Sequence, residues 1–223
     1  MHSRILLDIG NTRTKWKFEG KFFELNTENF KLEKLPKSSN IWVSNVSNKA
    51  LDVNNKFIHF VESQEKYKSL INAYDNPQSL GPDRWVGMIA SYEFSQGKSF
   101  IMIDIGSAIT IDIVNQSGIH QGGLIFPGLK KIRECFNNFP ISSNINIDKI
   151  GQSTEAAWTI GTLSLIVNTI NLKVRELNTN CPHALIFLTG GGYPEIQDFL
   201  KFDHSYHKNL VLDGIEFFAN NMG

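Results

Sequence analysis

Two short stretches carry the residue types that phosphate chemistry needs. Near the N-terminus, Asp8 ends the apolar run Ile5-Leu6-Leu7 and is followed by Ile9, Gly10 and Asn11. Half a chain later, Asp104 ends Ile101-Met102-Ile103 and is followed by Ile105, Gly106 and Ser107. A carboxylate at the end of a buried strand is costly unless a cation or a hydrogen-bond donor answers it. Such a carboxylate can hold Mg²⁺ or its waters. A glycine beside it, lacking Cβ, lets backbone N–H groups approach an anion. Asn11, Thr12 and Ser107 add short polar side chains, and Lys15 adds positive charge. In a single copy, Asp and Gly are equally what an ordinary hairpin turn uses. The two copies align beyond the turn, however: Thr14 falls on Thr110, and a β-rich run follows each time. This internal repeat implies two similar domains, each presenting a strand-end carboxylate and a glycine turn.

The flanking segments supply the elements that must position these turns. RILLDI and TRTKWKFEG read as strands on either side of Gly10, and KFFEL, SNIWVSNV and FIHFVE as further strands. SQEKYKSLINAY reads as a polar helix leading into the loop DNPQSLGPDRW, which Pro77, Gly81 and Pro82 keep irregular. From Asp83 onward, Trp85, Met88, Ile89 and Tyr92 recur at helical spacing. After the second Asp-Ile-Gly unit come QGGLIFPGL and a helix over LKKIRECFNNF. A long helix follows within GQSTEAAWTIGTLSLIVNTINLKVREL, capped by Ser153 or Thr154. ALIFLTGGG reads as a strand running into three glycines, and LVLDGIEFFANNM as a closing helix. The domain boundary falls near Ser95–Lys98, giving domains 1–97 and 98–223.

Bulk properties narrow the function. The 223 residues suit one large domain or two small ones. Lys plus Arg and Asp plus Glu number 22 each, which gives no support to a nucleic-acid surface or a polybasic membrane patch. MHSRILLDIG lacks a signal-peptide pattern, and no apolar run approaches the roughly 20 residues of a membrane span. Cys135 and Cys181 form no CxxC pair, which fits a reducing cytoplasm. His2, His59, His120, His183, His204 and His207 show no zinc-type spacing. Trp85 and Trp158 read as packing residues.

Other phosphate binders fail on spacing. Gly97-Lys98-Ser99 resembles the end of a P-loop, but its first glycine would fall at Tyr92, and a strand rather than a helix follows. No GxGxxG opens a helix after the first strand, which disfavours a dinucleotide fold. Asp83-Arg84 could be a helix N-cap with a surface arginine beside it. Equally, Asp83 could accept a hydroxyl proton while Arg84 binds a carboxylate or phosphate through two oxygens.

The combination resembles the actin, sugar-kinase and heat-shock-chaperone superfamily, and within it the type III pantothenate kinases. The matching stretches are DIGNTRTK (8–15), YDNPQSLGPDRW (74–85), DIGSAIT (104–110), GGLIFPG (122–128), STEAAWTIG (153–161) and TGGG (189–192), in the family's order along nearly the whole chain. The resemblance implies an α/β fold of two ribonuclease-H-like (actin-like ATPase) domains, each a mixed sheet flanked by helices. It implies ATP-dependent phosphorylation of pantothenate, with Asp83 as general base. Asp8, Ile9, Gly10, Asn11, Thr12, Arg13, Thr14 and Lys15 would form the first nucleotide-phosphate loop, with Mg²⁺ on Asp8. Ser107, where the family usually has threonine, would touch ATP, and Gly190 and Gly191 would back the nucleotide. Tyr74, Gly81, Pro82, Asp83, Arg84 and Thr154 would contact pantothenate. Asp104 would hold the monovalent cation, K⁺ or NH₄⁺. The resemblance further implies a homodimer, with 154–177 as a candidate surface. A non-catalytic regulator on the same scaffold, and a kinase of another small molecule, are the alternative readings.

Overall fold

The structure, a computed structural model, describes residues 4–37, 40–49, 51, 55–136, 138–143 and 146–222. His2 and Asn137, both within segments read above, lie outside the described residues. The chain runs through β1 (Ile5–Ile9), β2 (Arg13–Phe18), β3 (Lys21–Asn26), β4 (Ile41–Asn45), β5 (Ile58–Phe60), β6 (Lys66–Tyr67), β7 (Leu70–Ile71) and α1 (Pro82–Ser95). It continues through β8 (Phe100–Ile105), β9 (Ala108–Val114), β10 (His120–Pro127), α2 (Leu129–Arg133), α3 (Thr154–Asn180), β11 (Leu185–Thr189), α4 (Tyr193–Ile196), β12 (Ser205–Tyr206) and α5 (Leu210–Met222). Two five-stranded sheets result, ordered β3-β2-β1-β4-β5 and β10-β9-β8-β11-β12. Strand for strand the order is the same, as the sequence repeat implies.

The chain divides into two compact units. The first comprises Met1–Phe100, Asp112–Gly122 and Asn209–Gly223; the second comprises Ile101–Ile111 and Gly123–Lys208. The first unit takes in two segments from the second half of the chain. The far end of the β9–β10 hairpin groups with the first unit, where the Ile71 N–H donates to the Gly118 carbonyl at 2.9 Å. The closing helix α5 does so as well, because it packs on α1. A Cβ at Gly214 would run into the Val86 carbonyl, so only glycine permits that close a crossing.

In the first unit β1 pairs antiparallel with β2 and parallel with β4. Alternation along β1 divides its side chains between two faces. Ile5, Leu7 and Ile9 are fully buried with Trp16, Phe30 and Val43 in one core. By area, each aliphatic side chain so buried contributes about 1.5–3 kcal/mol. The opposite face carries Leu6 and Asp8, with Lys15 and Ser44 in register on either side of Asp8. Helix α5 covers part of this face: Lys17 pairs with Glu216 at 2.7 Å, and the Trp42 and Phe218 ring centroids are 6.0 Å apart.

The segment expected to be a polar helix before the DNP loop is instead the β6–β7 hairpin, with Lys68 at φ 50° in its turn. Its buried Tyr67 and Leu70 stand three apart and so mimic a helical repeat. The hydrogen bond from Ile71 to the β9–β10 hairpin tip decides the extended form. In the second unit α3 is a 27-residue helix capped by Ser153, whose Oγ accepts the Ala156 N–H at 3.1 Å. Leu163, Ile166, Val167, Ile170 and Val174 form its buried stripe. The helix expected over 129–139 is shorter: α2 gives way to a 3₁₀ turn at Glu134–Phe136. Among the described residues no helix is long and apolar enough to cross a membrane.

Candidate active site

In the first unit the β1–β2 turn is tied tightly. The Gly10 N–H donates to the Arg13 carbonyl at 3.0 Å, and a Cβ on Gly10 would press on that same oxygen. Thr27 donates its hydroxyl to the Gly10 carbonyl at 2.7 Å and lies 3.0 Å from the Thr14 hydroxyl. Ile9 and Thr14 are therefore buried supports of the turn, while Asn11 and Arg13 are exposed and Thr12 is half-buried. Asp8 and Lys15, both half-buried, are cross-strand neighbours on one sheet face. A carboxylate and an ammonium side by side suit a metal-bound phosphate, one holding the cation and the other the anion.

Helix α1 begins at the same end of that sheet. Its cap residue, Gly81, stands beside Val46, whose N–H donates to the Ile9 carbonyl at 3.1 Å. A Cβ on Gly81 would come within 2.8 Å of Asp83 Oδ1 and push that carboxylate aside. Pro82 occupies the first helical position, where its missing N–H costs nothing. Asp83 is thus not the cap but lies within the first turn. Its Oδ1 accepts the Arg84 N–H at 2.7 Å. Burial pushes the Asp83 carboxyl above the usual carboxylate range, and the nearby Asp112 charge adds to the rise. The Arg84 N–H and guanidinium pull the other way without prevailing.

Behind Asp83 lies a network that no short sequence motif announces. Arg84 donates Nε to Asp112 Oδ2 at 2.9 Å and Nη2 to Asp112 Oδ1 at 2.5 Å, with both side chains buried. Burial lowers the guanidinium pKa, but the hydrogen bonds and charge of Asp112 more than reverse this, so Arg84 stays charged. Its Nη1 donates to the Tyr74 hydroxyl at 2.9 Å. His120, fully buried, lies with Nε2 3.0 Å from Asp112 Oδ1, and its Nδ1 accepts the Ala73 N–H at 3.4 Å. The sequence motifs point to Tyr74 and Arg84 here but not to Asp112 or His120. The available signal was Asp112 itself, an acid amid the apolar strand ITIDIV with no cation nearby in sequence.

In the second unit the predicted turns converge. The Gly128 N–H donates to the Ser107 carbonyl at 2.9 Å, and the Gly192 N–H to the Ile105 carbonyl at 2.8 Å. Gly190 has φ 99°, and a Cβ there would collide with the Asp104 carboxylate and the Ile105 carbonyl. Asp104, Ser107 and Gly190–Gly192 are thereby packed into one cluster. Gly191 differs: it is exposed, and a Cβ there would meet nothing within 4 Å, so a bare backbone surface faces open space. Glycine backbone beside a strand-end carboxylate fits a nucleotide's phosphates. Thr154, the exposed first residue of α3, follows the cap and offers a hydroxyl at that helix start.

Sheet order and turn chemistry define the class first. The fold is that of the actin-like ATPases and sugar kinases: the activator of 2-hydroxyisocaproyl-CoA dehydratase from Clostridium difficile, solved with bound ADPNP, superposes with a TM-score of 0.53 at 10% identity over 97% of this chain and 94% of that one. The sequence model of the type III pantothenate kinase family matches residues 19–176, and the chain belongs to that family. The type III pantothenate kinase of Alcanivorax borkumensis is 30% identical over 95% of this chain and 96% of its own. A Campylobacter jejuni protein described as a conserved Baf family transcriptional activator matches with a TM-score of 0.68 and 28% identity, covering 98% of both chains.

Proposed function

We propose that this protein transfers the γ-phosphoryl group of ATP to the primary hydroxyl of pantothenate, the first step towards coenzyme A. The observation that carries the reading is Asp83: a carboxyl held at the first turn of α1 and raised in pKa by burial, in a chain of this family. With Oδ1 engaged by the Arg84 N–H, Oδ2 is the oxygen left to take the hydroxyl proton. The hydroxyl oxygen then bonds to the γ-phosphorus, the bond from phosphorus to the bridging oxygen breaks, and ADP leaves. Raised basicity helps, because a base works best with a pKa near the working pH.

The remaining assignments rest on the family's motifs, which these residues match. Asp8 would hold Mg²⁺ together with the nucleotide's phosphates, and the metal would offset charge during transfer. Lys15, across the strand from Asp8, would answer phosphate charge on the same face. Asn11, Thr12 and Arg13 line the exposed side of that turn. Ser107, Gly190 and Gly191 would back the nucleotide in the second unit, and Asp104 would hold K⁺ or NH₄⁺. Tyr74 and Gly81–Arg84 would form the acceptor-substrate side. Thr154 would join from α3, and the protein would act as a homodimer through the exposed side of that helix, where Leu165 and Leu172 stand seven apart.

The test is ATP-dependent phosphorylation of pantothenate by the purified protein in K⁺, NH₄⁺ or Na⁺ buffer, beside Asp83→Asn. Turnover that needs K⁺ or NH₄⁺ and collapses in the variant supports the reading. A wild type that binds ATP but leaves pantothenate unphosphorylated overturns it. The likeness to the C. jejuni protein would then bring the regulator reading forward.

A further inference from the structure

We propose that Asp112 and His120 are positioning residues of the acceptor-substrate site: through Arg84 they fix the Tyr74 hydroxyl as a hydrogen-bond donor to an acceptor atom of the substrate. The inference rests on the kinase reading above, and it gives Arg84 a different task from direct contact with substrate.

Counting donors leads to it. A guanidinium has five N–H groups and no acceptor. Asp112 takes Nε and one hydrogen of Nη2, so the side-on fork of Arg84 is already filled by a buried carboxylate. Nη1 gives its hydrogen to the Tyr74 oxygen at 2.9 Å. Since arginine cannot accept, the phenolic hydrogen of Tyr74 must point elsewhere. Tyr74 is only half-buried, so part of the residue remains exposed. A hydroxyl that receives a hydrogen bond from a cation is also a stronger donor in turn.

His120 holds the other side. The Ala73 N–H donates to Nδ1, so the ring's proton sits on Nε2 and donates to Asp112 Oδ1. The ring lies nearly parallel to that of Tyr74, 12° between planes with centroids 6.1 Å apart. One histidine thereby fixes the backbone just before Tyr74, the face of its ring, and the carboxylate that orients Arg84. Every hydrogen bond in this chain has a fixed direction. All of these residues belong to the first unit, and Arg84 directly follows the proposed base Asp83.

The experiment is a double-mutant cycle on Tyr74→Phe and Asp112→Asn, reading kcat and both KM values, with calorimetric binding of pantothenate as a second readout. Each single variant is expected to raise the KM and Kd for pantothenate about tenfold, as loss of one charge-assisted hydrogen bond does. The KM for ATP should stay unchanged, and kcat should stay within about threefold. The double variant should be no worse than the weaker-binding single, because both changes break one relay. His120→Gln, which keeps a donor towards Asp112, should bind near wild type, whereas His120→Phe should match Asp112→Asn. Should Asp112→Asn fail to fold, the Tyr74→Phe and His120→Phe pair serves the same cycle. Unchanged pantothenate affinity in the variants overturns the proposal. So do effects that multiply in the double variant, or a parallel loss of ATP affinity, which is what plain structural damage would give. A wild type that neither binds nor phosphorylates pantothenate sinks the kinase reading itself, and this inference with it.

Discussion

Asp83 sets function against stability within a single residue. Its folded-state pKa is raised, so the stability linked to it is fully present below the unfolded carboxyl pKa and is lost as pH rises through the folded value. At neutral pH the raised pKa of Asp83 therefore costs the fold something. Asp83→Asn should melt higher than wild type at pH 7, and the gap should close as pH falls towards about 4, where both residues are neutral. The same variant should lose on the order of 10²–10⁴ in kcat, the range of a general base. Thermal melts between pH 4 and 8 together with a pH–rate profile check both. The ascending limb of kcat/KM should lie above the usual carboxylate range.

Glycines divide by task at the scale of the elements. Gly190, at the end of β11, holds a left-handed conformation against the Asp104 carboxylate and the Ile105 carbonyl. Gly190→Ala should therefore destabilise the fold by roughly 2–4 kcal/mol, combining backbone strain with overpacking. Gly191 meets nothing, so Gly191→Ala should leave stability within about 0.5 kcal/mol. If that bare surface receives phosphates, the added methyl should still raise the KM for ATP about tenfold. Urea titrations and ATP kinetics on the pair separate the two tasks. Equal stability losses would show that Gly191 is structural too.

At the scale of the whole molecule, the exposed side of α3 is a feature that one chain leaves unexplained. Leu165 and Leu172 are 56% and 42% exposed on a helix whose opposite stripe is buried. If α3 forms the homodimer contact, wild type should sediment as a dimer and Leu165→Arg/Leu172→Arg as a monomer at the same concentration. A monomeric wild type would remove the dimer from the reading and leave the intrachain assignments standing. A stable contact of this kind buries at least about 1,000 Å² in total, more than the two leucines supply, so neighbouring residues of α3 must join it.

Short-range physics was legible in the sequence. Apolar runs ending in Asp8 and Asp104, glycine turns, the helical spacing from Asp83 and the cap of α3 at Ser153 or Thr154 all act within a few residues, so spacing alone placed them. The strand-end repeat carried the two-sheet fold, and the ordered motifs carried the family. What only the tertiary structure decided depends on residues far apart in the chain. Tyr67 and Leu70 form a hairpin because Ile71 finds Gly118. Helix α5 joins the first unit because Gly214 fits against Val86. Arg84 turns inward because Asp112, 28 residues away, is buried and must be neutralised, and His120 is drawn in to complete it. A buried charge needs its partner in space, and sequence spacing does not record which partner the fold delivers.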